Sequence, residues 1–187
     1  MTRPCVSFAF YTGLGPSEPW LNRIVAMITG PYMHCEIVFN EPGGKHVACG
    51  VWQGEKTFMR RKTFGKKCWI WRTLNVTAEQ QRKMRRFCTQ QAKLQIPFNR
   101  WGLWRCCSPF PRKSDGKAWF CSELCVCSLQ CAGLLLDEVA SACTPTYLYS
   151  CIMKMGAFSA AAPARLLNQR IARQQLKYKW TKQLFVV

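Results

Sequence analysis

The segment Trp119-Phe120-Cys121-Ser122-Glu123-Leu124 constrains this chain more than any other, because it reads as a helix start that opens on a cysteine. Unpaired backbone N–H groups and the positive end of the helix dipole meet there, and both favour thiolate over thiol. Far upstream, His34-Cys35-Glu36-Ile37-Val38-Phe39 reads as a strand led by a histidine, one of only two in 187 residues. A helix-start thiol and a strand-borne imidazole are the smallest set for nucleophilic catalysis by cysteine. A fold that unites them must pack the helix N-terminus against the start of that strand.

The spacing of apolar and turn residues around these two segments predicts an α+β layout. Residues 4–11 read as a strand closed by the Gly-Leu-Gly-Pro turn at 13–16. Trp20, Leu21, Ile24, Val25 and Ile28 fall at helical spacing over 18–29, with Ser17 as N-cap and Gly30-Pro31 as the stop. The histidine strand covers 33–39, the turn Asn40-Glu41-Pro42-Gly43-Gly44 follows, and 46–53 return as its antiparallel partner. Thr57-Phe58-Met59 and Cys68-Trp69-Ile70-Trp71 suggest two more strands around a basic loop.

Thr77, with Glu79 and Gln80, opens a helix running to about Leu94, acidic in its first turn as the dipole prefers. The stretch 97–118, rich in Trp, Pro and Arg, reads as irregular. The Cys121 helix then runs to its glycine stop at Gly133, and Thr144-Pro145 begins a short helix through Met153. Beyond that the character changes: Arg165 to Lys182 carry six basic residues and no acid. The chain divides into a body at 1–157 and a basic tail at 158–187.

With 27 Lys and Arg against 9 Asp and Glu, the net charge is +18, which favours anionic partners such as phospholipid surfaces or nucleic acid. No apolar run approaches the ~18 residues of a membrane span, and the N-terminus lacks the pattern of a secretory leader. The 13 cysteines are an odd set in a chain rich in large apolar residues, so they are expected to be mostly reduced and packed as small core residues in an intracellular compartment. Cys121, Cys125, Cys127 and Cys131 have spacings reminiscent of zinc ligands. On a helix, however, 127 points away from 121 and 125, and no paired C-x-x-C knuckle occurs. No metal or cofactor is expected.

Four blocks together resemble the circularly permuted papain-like thiol hydrolases. This NlpC-type superfamily branch includes YiiX-like proteins, pox-type viral relatives and lecithin retinol acyltransferase-like enzymes. The blocks are Met33-His34-Cys35-Glu36-Ile37-Val38-Phe39, the following strand Val47-Ala48-Cys49-Gly50-Val51, the segment Gln95-Ile96-Pro97-Phe98-Asn99, and Phe120-Cys121-Ser122-Glu123-Leu124, which is close to the family's Tyr-Cys-Ser-Glu-Leu. Histidine before cysteine reverses the papain order, as permutation requires. The resemblance spans roughly residues 4–153. It implies an antiparallel sheet packed on helices, Cys121 as nucleophile, His34 as base, and backbone N–H groups at the helix start as part of an oxyanion hole. It also admits a viral source.

The third, orienting residue departs from the family, whose members place a polar side chain on the strand after the histidine strand; here that strand is apolar. Glu36 is the first choice, since period-two alternation puts it on the face of His34. His46, twelve residues after His34, matches a second histidine of the acyltransferase-like branch, and Gln53 reaches diagonally from the return strand. Glu123, Ser122 and Asn99 are candidates for the cleft, Glu123 equally for a helix-capping carboxylate and Asn99 equally for a turn cap. Trp101, Trp104 and Trp119 either wall an acyl groove or cover the core.

The resulting expectation is a cysteine hydrolase that cleaves an amide or ester of a peptide, N-acyl or lipid substrate through an acyl-enzyme. Acyl transfer between lipids and phospholipid cleavage are the alternatives within chemistry, and a decayed membrane- or nucleic-acid-binding module is the alternative outside it.

Overall fold

A computed structural model describes residues 4–12, 30–65, 68–105 and 114–157, with side chains in the third stretch described to 102. The expected helix at 18–29, the Cys106-Cys107 pair, the Trp104 side chain and the basic tail lie outside the described residues. The fold is α+β. Five strands, β1 (Cys5–Tyr11), β2 (His34–Glu41), β3 (Lys45–Gly50), β4 (Phe58–Arg61) and β5 (Trp69–Asn75), form one antiparallel sheet in the order β4-β3-β2-β1-β5. The described helices are α1 (Ala78–Lys93), α2 (Arg100–Arg105), α3 (Cys121–Cys131) and α4 (Pro145–Lys154).

Alternation along the strands divides the sheet into two unlike faces. On one, Val6, Phe8, Phe10, Cys35, Ile37 and Phe39 meet Met84 and Cys88 of α1, Leu124, Cys125 and Leu129 of α3, and Leu148 and Ile152 of α4. This is the main core. Each fully buried large apolar side chain there contributes about 1.5–3 kcal/mol. The other face carries small residues at its centre, Ala9, Val38 and Ala48, under Phe64, Trp69 and Trp71.

Helix ends follow their capping chemistry. Thr77 and Gln80 form a reciprocal capping box at α1. Thr144 Oγ1 accepts from Tyr147 N at α4, with Pro145 in the first turn. At the end of α3, Gly133 takes φ +77°, and the N–H groups of Gly133 and Leu134 close back on Gln130 and Leu129, the glycine stop read from sequence.

Several boundaries differ from the sequence reading. The return strand β3 ends at Gly50 instead of 53, because the chain turns at Gln53 and Gly54, where Gly54 has φ +81°. Strand β4 extends through Arg60 and Arg61, basic residues that an exposed edge strand tolerates, and β5 runs on to Asn75. The stretch expected to be irregular contains the short helix α2, started by Asn99. No helix among the described residues is long and apolar enough to cross a membrane.

Candidate active site

Helix α3 begins at Cys121, as the sequence predicts, and its start is built by its neighbours. Phe120 has extended backbone but no side-chain oxygen to cap with. Glu123 supplies the missing partner: its Oε2 accepts from Phe120 N at 3.4 Å, while Ser114 Oγ donates to Oε1. Burial pushes the Glu123 carboxyl up, against those two bonds. The first bond of the helix runs from Leu124 N to Phe120 O at 3.1 Å. The N–H groups of Cys121 and Ser122 therefore have no intrahelical acceptor and stand beside the sulfur.

His34 opens β2 opposite Tyr11 of β1, so the strand start lies at the sheet end that α3 covers. Its ring stacks on Trp52 with centroids 3.8 Å apart and meets Trp69 edge-on at 6.0 Å. Nε2 lies 3.1 Å from Glu36 Oε1, which leaves Nδ1 as the ring nitrogen for the thiol. Cys121 is 3% exposed and His34 5%.

The charges of the two groups stabilise each other. For Cys121, the neighbouring Cys35 thiol is the largest influence. Burial opposes it, the His34 charge and the Cys35 backbone N–H add to it, and the thiol is held well below the usual range. For His34, burial disfavours the cation, but the Cys121 sulfur and Glu36 outweigh it, and the pKa stands raised at about 9. Both shifts favour the thiolate–imidazolium form over the neutral pair. Other thiols go the opposite way: burial raises the half-buried Cys127 and the buried Cys143 to about 12, Cys151 to about 11, and Cys125 as well. Cys35, whose sulfur lies 3.7 Å from that of Cys125, is raised first by burial and then by its neighbour Cys121.

Glu36 is fully buried, and three donors converge on its Oε1: His34 Nε2 at 3.1 Å, Trp52 Nε1 at 3.1 Å and Lys62 Nζ at 2.5 Å. Burial raises its pKa, but the bonds and charges of His34 and Lys62 more than reverse that, so it is lowered. The room for this carboxylate comes from its cross-strand neighbours, Ala9 on β1 and Gly50 on β3. A Cβ at Gly50 would stand 2.8 Å from Glu36 Cγ. The carboxylate is thus carried on β2, and the adjoining position on β3 has no side chain.

The remaining candidates fall away from Cys121 and His34. His46 sits at the hairpin end of β2–β3, where Nδ1 pairs with Asn40 Oδ1 at 3.0 Å and the ring lies on Trp71. Gln53 is exposed in the turn after β3. Asn99 Oδ1 accepts from Gly102 N at 2.7 Å and so caps α2. Glu123 is the capping carboxylate. Ser122 is buried beside Cys121 with no partner for its hydroxyl. Trp119 packs on Phe87 and bonds Gln91, a core role, whereas Trp101 is 76% exposed.

Sequence reasoning missed Trp52, Lys62 and Trp69 as neighbours of the site, and Cys35 as a neighbour of the thiol. Only the position of Cys35 beside His34 on the strand hinted at any of them. Among the described residues no group of three or more His, Cys, Asp or Glu side chains is arranged to hold a metal ion, and no disulfide joins the eleven described cysteines.

Comparison with family models, curated proteins and solved structures finds no match for this chain.

Proposed function

We propose that this chain is a cysteine hydrolase of the permuted papain-like type, cleaving an amide or ester through an acyl-enzyme. The observation that carries the reading is the Cys121–His34–Glu36 arrangement, with the thiol pushed down and the imidazole pushed up. The Cys121 thiolate attacks the substrate carbonyl carbon, and the carbonyl oxygen takes the negative charge. The N–H groups of Cys121 and Ser122 face that oxygen, an effect of ~3 kcal/mol per donor in hydrolases of this kind. His34 Nδ1–H protonates the departing amine or alkoxide, leaving a thioester on Cys121. The now neutral His34 takes a proton from water, the hydroxide attacks the thioester, and the thiolate and imidazolium return. Glu36 keeps the ring oriented and stabilises its charge throughout.

The net charge of +18 supports action at an anionic surface, where lipid esters or N-acyl groups would be presented. Acyl transfer uses the same acyl-enzyme with a second lipid in place of water. The direct test incubates wild type and Cys121→Ala with a thiol-directed activity probe and with a panel of peptide, N-acyl and phospholipid substrates. The reading requires covalent probe capture and product release by wild type alone. Equal behaviour of the two proteins would leave the binding-module alternative.

A further inference from the structure

The buried carboxylate of Glu36 has a partner outside the Cys–His pair, and its placement follows from the sheet. Backbone N–H of Lys62 donates to His46 O at 3.1 Å, which continues the β3–β4 register one step past Arg61. Alternation then sets Phe58, Arg60 and Lys62 on the face that carries Gly50, Ala48 and Glu36. From opposite His46, the Lys62 side chain reaches back along that face towards Glu36. The ammonium ends 2.5 Å from Glu36 Oε1, surrounded by the rings of Trp69, Phe64, Trp52 and Phe58 at 4.6, 4.9, 5.1 and 5.9 Å. Its side chain is 20% exposed.

We propose that Lys62 is a positioning residue of the catalytic site, the fixed positive charge that keeps Glu36 ionised and makes a neutral quartet with Cys121, His34 and Glu36. The inference rests on the reading of Cys121 and His34 as a reacting ion pair. Thiolate, imidazolium and carboxylate alone would leave one uncompensated negative charge in a buried place, which is costly. The ammonium cancels it. Aromatic faces on several sides hold the ammonium there while excluding most water, which strengthens its pull on the carboxylate. Across the sheet from Glu36, near Cys121, lie the thiols of Cys35, Cys49 and Cys125, none of them positively charged. Arg60 is closer in register than Lys62, but its guanidinium turns onto the Phe58 ring, 4.4 Å from the centroid, and stays exposed. Among the described residues Lys62 is therefore the cation that answers Glu36 beyond His34 itself.

Removing a positive charge raises the proton affinity of every nearby group, so the sign of the effect is fixed. The pH dependence of Cys121 alkylation by iodoacetamide, mapped by mass spectrometry on the full chain, reads it out. Lys62→Met should move the acid limb of that profile upward by about one unit. Lys62→Arg should stay near wild type, and Arg60→Met, which removes a charge from the same strand face, should not move it. Circular dichroism checks that each variant is folded. Lys62→Gln gives the same reading should the methionine variant not fold. A folded Lys62→Met or Lys62→Gln whose profile superimposes on wild type overturns the proposal, as does an equal shift from Arg60→Met. If wild-type Cys121 itself shows an ordinary thiol profile, the hydrolase reading fails first, and the two failures are thus told apart.

Discussion

Two ionisable groups decide what this site can do, and each is poised by contacts of single atoms. The Cys121 thiol is held low by the neighbouring Cys35 and His34, and His34 Nε2 is engaged by Glu36 Oε1. For the proposed hydrolase, a bell-shaped pH dependence follows. Activity rises with pH as Cys121 loses its proton, well below the ordinary thiol range, and falls again as the imidazolium that protonates the leaving group is lost near pH 9. An initial-rate profile from pH 4 to 10.5 checks both limbs; a plateau persisting beyond pH 10 would be inconsistent with His34 as the acid. His34→Ala should lower kcat/KM by roughly 10²–10⁴-fold, whereas His46→Ala and Gln53→Ala should leave it unchanged, since those side chains lie away from the thiol. A large loss on His46→Ala would reassign the third residue.

At the scale of elements, the site depends on what the strands leave out as much as on what they carry. Gly50 yields its side-chain space to Glu36, so Gly50→Ala should displace the carboxylate, cost about 1–3 kcal/mol of overpacking and slow Cys121 alkylation at neutral pH. Thermal unfolding and labelling of the same variant test both effects; an unperturbed variant would show that the carboxylate can move without consequence. Much of this level was readable in the sequence. The helix start at Cys121, the histidine strand, the capping box at Thr77 and the glycine stop at Gly133 all rest on chemistry within a few residues. Lys62, Trp52 and Trp69 were not readable as site residues, because their contacts with Glu36 and His34 depend on strand register and a turn at Gly54. Arg60 and Arg61 concealed the extent of β4, since charge in an edge strand looks like a loop. Asn99 was readable only as a choice between cleft and cap, which the Gly102 amide decides.

For the whole molecule, the sheet separates two jobs. One face, with α1, α3 and α4, forms the core that fixes the Cys121 helix; the other, aromatic and basic, holds Glu36 and Lys62 in place. The tail beyond 157 lies outside the described residues and carries six of the 27 basic residues. Removing 165–187 should leave Cys121 alkylation intact and weaken binding to anionic vesicles at low salt. Transfer of the loss to nucleic acid instead of vesicles would name the other anionic partner, and unchanged binding to both would remove the attachment role.

The central claim is that geometry, not exposure, makes one thiol reactive, and competitive labelling tests it most directly. Cys121 is nearly buried, whereas Cys131 is exposed on the same helix. Brief treatment of the folded chain with limiting iodoacetamide at pH 6.5, followed by mass-spectrometric mapping of all thirteen thiols, should find Cys121 modified first, ahead of Cys131, and slowed at least tenfold by His34→Ala. Labelling ordered by exposure, with Cys131 ahead of Cys121 and no effect of His34→Ala, would contradict the account.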